Sequence, residues 1–345
     1  MRSQQRRFLD LLEEDHDNLR AAVSWLLDHD PEDALTLAHA LIVFWYTRGH
    51  VREARDWLLA ALERASTTPN ATRAEALDWA GYLCDELGDD GRALKEQAVA
   101  CAREADAPGA LALALCHLYQ DIAELDEARR LAEQAGDPFV LATVLNNLGV
   151  ALSHEGDSDR ALVVFMESYR VRADMGDVSR MALSLNNVAW TLFEAGNVSQ
   201  ARDYATQALG LARDVGDRRH IHAAADSLGC IALAGGHFDD ARALFKEALI
   251  HAQEIANAAA ARITLYGLAA VAGATGEGRL AARLAAAAEP EVPGGNIFID
   301  PWLWTAIQQH LAAAREETDP ADWEEAWAGG AALTLEEAAA EAVAM

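Results

Sequence analysis

Residues 145–161 read LNNLGVALSHEGDSDRA. Forty residues later the chain reads LNNVAWTLFEAGNVSQA (185–201), and the same frame returns in DSLGCIALAGGHFDDA (226–241). A fixed period constrains a fold more than any single motif does. A short unit with one apolar face cannot bury that face alone, so successive units must stack to make a core.

Four columns define the unit. Turn glycines stand at Gly49, Gly88, Gly156, Gly196, Gly236 and Gly276. Seven residues before each lie Ile42, Gly81, Gly149, Ala189, Gly229 and Ala269. Five after each lie Ala54, Ala93, Ala161, Ala201, Ala241 and Ala281, and seven further on Ala61, Ala100, Ser168, Ala208, Ala248 and Ala288. Glycine supplies the left-handed backbone that ends a helix, and small residues let two helices approach. Leu145, Leu148 and Leu152 form an apolar stripe at helical spacing, answered by Leu162, Phe165 and Tyr169. MGD (175–177), VGD (215–217) and IAN (255–257) close the units. Each unit therefore reads helix, tight turn, helix, tight turn.

Composition supports an all-helical chain. Apolar residues make up 52% of the 345, with only eight prolines, and the alanine-rich text favours helix. The net charge of −27 repels phosphate backbones and argues against nucleic-acid binding. Cys84, Cys101, Cys116 and Cys230 lie in apolar helical text at spacings that fit no metal pattern, so buried reduced thiols and a cytoplasmic setting are expected. No signal peptide is read at the start. The apolar stretch 263–276 is too short to span a membrane.

The columns resemble the tetratricopeptide repeat (TPR) family over residues 30–288, most strongly over 142–288. The resemblance implies a right-handed superhelical solenoid of about seven helical hairpins. Its usual unit is about 34 residues, so the 40-residue unit here implies longer helices. One unit is irregular: ALALALCHLYQDIAELDEARRLAEQAGD (110–137) reads as a shortened hairpin with a local kink or changed pitch. The ends resemble bacterial STAND-type signalling ATPases of the LuxR, antibiotic-regulatory and adenylate-cyclase-linked kinds. LLEEDHDNLRAAVSWLLDHD (11–30) is similar to the helix that joins their ATPase module to a TPR sensor, and DPADWEEAWAGGAALTLEEAAAEAVA (319–344) to the way those sensors finish. The expected organisation is an N-terminal joining helix (1–30), repeats (31–288, irregular near 106–137), then a loop and C-terminal helical cap (289–345). In the cap, Asp319 precedes Pro320 as a helix start, Trp323 and Trp327 share a face, and Thr334 with Glu337 forms a capping box.

No catalytic motif appears. GDDGRALK (88–95) has the wrong spacing for a phosphate loop. His220 and His222 point to different helix faces, so no metal set is read. No cofactor is expected, and any ATPase or DNA-binding module of such a regulator would lie outside this sequence.

The resemblance implies that the variable face of each first helix lines a concave groove. The candidate wall is Asp78, Tyr82 and Asp85; Asn146; Asn186, Trp190 and Phe193; Asp226; and Tyr266. Asn146 and Asn186 could bond a peptide backbone or hydroxyls, and the aromatics could stack. Asn147 and Asn187 read instead as bonds to the neighbouring helix, an alternative open to Asn146, Asn186 and Trp190 as well. None of these wall candidates is lysine or arginine, which argues against a clamp for acidic chaperone tails. A neutral or cationic peptide, a protein, or a small polar effector fits better. The reading is a non-enzymatic sensor, with a stand-alone interaction scaffold as the alternative and an unrecognised enzyme as a remote one.

Overall fold

The computed structural model describes residues 2–119, 121–289 and 301–344. Among them are nineteen α-helices and no strand. Helices α1 (Arg2–Glu14) and α2 (His16–His29) replace the single helix read at the start, with a bend at Asp15. Seven helix pairs follow in chain order: α3 (Pro31–Arg48) and α4 (Val51–Arg64), α5 (Ala71–Glu86) and α6 (Arg92–Glu104), α7 (Pro108–Leu118) and α8 (Ile122–Ala135), α9 (Pro138–His154) and α10 (Ser158–Met175), α11 (Val178–Glu194) and α12 (Val198–Val215), α13 (Arg218–Ala234) and α14 (Phe238–Glu254), α15 (Ala258–Ala274) and α16 (Gly278–Ala288). Helices α17 (Pro301–Glu317), α18 (Pro320–Ala331) and α19 (Leu335–Ala344) end the chain. The helices form two compact units. One runs up to Ala195 and includes Gly210–Asp217; the other holds Gly196–Leu209 and the chain from Arg218 onward.

Three of the turns between pairs are written as Gly-Asp, at 136–137, 176–177 and 216–217. Gly136 and Gly176 end α8 and α10 with φ of 68° and 73°. Asp137 and Asp177 then accept from the first amides of α9 and α11. One residue stops a helix and the next starts another, because each supplies what a helix end lacks.

Small residues set how closely the two helices of a pair approach. A methyl group placed on Gly149 would meet the Phe165 ring at 2.5 Å, and one on Gly229 would meet Phe245 at 2.7 Å. Both rings are almost wholly buried. The same two positions recur along the second helices and are buried in six of the seven. Leu58–Ala61, Leu125–Ala128, Phe165–Ser168, Ala205–Ala208, Phe245–Ala248 and Ala285–Ala288 are all buried.

One pair departs from the columns read in sequence. Ala93 and Ala100 are exposed. The buried residues of α6 are Lys95, Ala98, Val99, Cys101 and Ala102, preceded by the buried N-cap Gly91. The loop after Gly88 is two residues shorter than its counterparts, so Gly91 and not Ala93 stands where Ala161 stands in α10. Lys95 then occupies the place of Phe165. The shortened hairpin expected at 110–137 is present, and α7 has 11 residues against 17 in α9.

In the second unit, α17 packs on α15, α18 on α16, and α19 on α14 and α15. Gly273 leaves room for the His310 carbonyl oxygen, and Gly330 for that of Arg283. The Asp319 cap and the reciprocal Thr334–Glu337 capping box form as read, and Trp323 stacks near Trp327. Most of the loop read at 289–301 lies outside the described residues.

The packing separates glycines by role. Gly149→Ala and Gly229→Ala should each lower stability by about 1–3 kcal/mol through overpacking. Gly210→Ala, at an exposed α12 position with nothing within 4 Å of the added methyl, should raise it by about 0.5–1 kcal/mol. Urea midpoints of the three variants check this.

Candidate functional site

A cavity follows from the short helix. Helix α7 packs between α5 and α9, but it stops at Leu118, six residues short of α9's length. At 1.5 Å per residue the missing turns leave about 9 Å of α5 and α9 without a neighbour. A cavity of about 470 Å³ opens there. The end of α5 gives it Tyr82, Asp85 and Glu86. The end of α9 gives Asn147, Val150, Ala151, His154 and, just past it, Glu155. Cys116, His117 and Tyr119 at the end of α7, with Leu125 of α8, form the floor, and Lys95 enters from α6.

Lys95 is the charged member of a column that is otherwise leucine, phenylalanine or alanine. Its stem fills the slot under Gly81, where an added methyl would meet Lys95 Cγ at 2.7 Å. The stem is buried like a hydrophobe and carries the ammonium to the cavity. There Nζ donates to Asp85 Oδ2 at 2.5 Å and to the His117 carbonyl at 3.1 Å. The other Asp85 oxygen accepts from Gly91 N at 2.8 Å. The expectation that the wall lacks lysine and arginine is therefore corrected at this cavity. Lys95 stands two residues out of the register that Gly88 sets for the other units. Even so, the lining holds three carboxylates (Asp85, Glu86, Glu155) against one ammonium.

Behind the floor lies a buried ion-pair geometry. Asp78 is fully buried, and its Oδ2 lies 2.7 Å from His117 Nδ1. The two atoms are within hydrogen-bond distance, and the tautomer with its proton on Nδ1 donates to the carboxylate. Asp78 Oδ1 is buried with no hydrogen-bond partner. The imidazole sits 5.0 Å from the Tyr82 ring and 6.0 Å from Trp79, and the Tyr82 hydroxyl lies 3.1 Å from that of Tyr46. A carboxylate orienting an imidazole is one half of a nucleophilic site. The thiol beside it is not the other half. Burial, then the Asp78 charge, pushes the Cys116 thiol far up, despite the Asn147 amide that donates to its sulfur at 3.0 Å. It stays protonated, and a protonated buried thiol is a poor nucleophile.

The other sequence candidates fall elsewhere. Tyr82 and Asp85 line the cavity, whereas Asp78 is sealed behind it. Asn146 is buried and accepts from Asn187 Nδ2 at 3.1 Å, and Asn147 bonds the Cys116 carbonyl and thiol, so these asparagines join helices. Asn186 keeps a buried Oδ1 without a partner. Trp190 is half-buried, donates to Glu194 at 3.1 Å, and lies 5.7 Å from the buried Phe193 ring. In the second unit, Asp226 accepts from Thr264 at 2.9 Å and burial raises its pKa. Tyr266 is buried beneath Trp304 of α17, and its hydroxyl pKa is pushed up to about 12 by burial. His117, Asn147 and His154 are cavity residues that sequence columns alone did not select; the early end of α7 exposes them.

Comparison with known proteins bears on the fold. Residues 140–214 match the tetratricopeptide repeat family. Proteins of Mycobacterium tuberculosis and Mycobacterium bovis named as HTH-type transcriptional regulators are 34% identical over 177 residues, covering 46% of this chain and 20% of theirs. The chain thus spans about a fifth of the length of the curated relatives it matches. A STAND protein with a tetratricopeptide repeat sensor from Pyrococcus horikoshii superposes with a TM-score of 0.50 at 15% identity, over 94% of this chain and 48% of that one. A Rap protein complexed with Competence and Sporulation Factor gives 0.59 at 11% identity, over 99% of both chains. The fold is an all-α, TPR-like array. Among the described residues no helix is long and apolar enough to cross a membrane.

The Lys95–Asp85 pair predicts an asymmetry. Lys95 is buried and Asp85 exposed, so removing Asp85 strands a buried ammonium, whereas an apolar residue at 95 leaves a carboxylate that water can solvate. Lys95→Met should change stability by less than about 1 kcal/mol, and Asp85→Ala should lower it by about 1–3 kcal/mol. Denaturant titration of both variants reads the difference.

Proposed function

We propose that this chain is the non-enzymatic, ligand-sensing region of a cytoplasmic bacterial STAND-type regulator, and that the cavity at the end of α7 holds the ligand. The carrying observation is the cavity's composition: three carboxylates and one lysine over an aromatic and imidazole floor. That surface favours a ligand with a positive charge, such as an arginine or lysine side chain or a peptide amino terminus. The lining carboxylates accept its N–H groups, and the Tyr82 face packs against its stem. Acidic peptides meet like charge. The Rap protein that shares this fold, crystallised with Competence and Sporulation Factor, supports a peptide or protein partner for a fold of this kind.

The cavity walls come from three consecutive helix pairs, so a ligand bridging α5 and α9 would favour one spacing of those pairs over another. Differential affinity for two spacings is all that a switch requires. Helix α1 is placed to report the change. Gln5 of α1 donates to Asp177 and accepts from the Val178 and Ser179 amides, which joins the chain's first helix to the start of α11. We read an upstream ATPase module as the receiver of that signal.

Fluorescent peptide pools test the reading. A pool rich in arginine and lysine should bind the chain, and Glu86→Gln/Glu155→Gln should weaken it at least tenfold with helicity unchanged by circular dichroism. An acidic pool should not bind. Equal binding of both pools, or full affinity in the double variant, contradicts the assignment.

A further inference from the structure

A second cluster lies in the same unit, on side chains that the cavity does not use. Glu13 stands near the end of α1, His16 opens α2, and His50 precedes α4. One ligand atom from each lies within 4.8 Å of the others. His50 Nε2 sits 3.1 and 3.2 Å from the two Glu13 oxygens, and the His16 and His50 ring centroids are 4.2 Å apart. The bend at Asp15 sets Glu13 and His16 on two helices that face the same turn.

From this geometry we infer a divalent transition-metal site, of the zinc class, formed by Glu13, His16 and His50. Two imidazoles and one carboxylate are a common zinc donor set. A tetrahedral ion at about 2.0–2.1 Å from each ligand needs donor atoms about 3.3 Å apart. All three donor atoms lie within 4.8 Å of one another, and the exposed Glu13 side chain and half-buried His50 ring can shift rotamer as the ion draws the set together.

The surroundings fix the buried member. His16 is buried and packs edge-on to Phe44 at 5.5 Å. Its Nε2 accepts from Trp45 Nε1 at 3.2 Å, so that nitrogen holds a lone pair. Glu53 Oε1 lies 3.3 Å from the same nitrogen and already accepts from Arg20 and Trp57. One nitrogen thus faces a donor and a carboxylate and can satisfy only one of them as a neutral ring. A metal on either nitrogen of His16 rearranges this bond. Taken at Nδ1, it moves the ring proton to Nε2, where Glu53 accepts it as metal-ligating histidines commonly require. Taken at Nε2, it replaces the Trp45 donor. In both cases the Trp45 indole reports binding, and the ion staples α1 and α2 to the first helix pair.

The test uses the full chain stripped with a chelator and titrated with Zn²⁺ against a chromophoric zinc indicator. One tight equivalent is expected, and Zn²⁺ should shift the Trp45 indole N–H resonance. Glu13→Gln and His50→Gln leave the buried His16–Trp45 bond intact, and each should lower affinity at least tenfold with unchanged helicity. Zn²⁺ affinity and stoichiometry equal to wild type in the Glu13→Gln/His50→Gln double variant would place the ion elsewhere and overturn the site. A Trp45 resonance that does not respond to Zn²⁺ would do the same.

Discussion

The close approach of two helices at a small residue is the interaction on which the rest depends. Gly149 admits Phe165 and Gly229 admits Phe245 at distances that any added carbon would forbid. Each such contact fixes the depth and rotation of one helix on the next. Once that is set, the Gly-Asp turns only need to deliver the chain to the following pair. Stability is then a sum of like contacts, and a unit can vary wherever the contact does not reach.

The candidate site exploits two local exceptions to that rule. Lys95 sits in the slot that phenylalanine fills elsewhere, so a residue placed for packing brings a charge inward. Helix α7 ends early, so its neighbours present side chains that a full-length helix would cover. Neither change breaks the stacking. Together they turn a packing defect into a cavity whose polar groups are held by Asp85, Gly91 and Asp78 on the surrounding helices.

Much of the fold was legible because its signal is repeated. The glycine, alanine and serine columns at 149, 161 and 168, and their partners at 229, 241 and 248, mark buried contacts directly. The α6 register was not legible. Alignment on Gly88 selects Ala93, whereas the shorter loop makes Gly91 the buried residue, and two alanines on an exposed face look the same as two in a core. The site was legible only in part. Tyr82 and Asp85 follow from their position on the first helix, but His117 and His154 depend on where α7 stops, which no column records. Tyr266 shows the opposite effect, because a helix far along the chain brings Trp304 to cover a residue that repeat position alone leaves open.

Hydrogen exchange on the full chain, with and without a basic peptide selected from the arginine- and lysine-rich pool, tests the central claim most directly. Added protection confined to the last turns of α5 and α9 and to α7 is the predicted result. Protection centred on Trp190 in α11, or on α13 and α15, with none at α7, would contradict it.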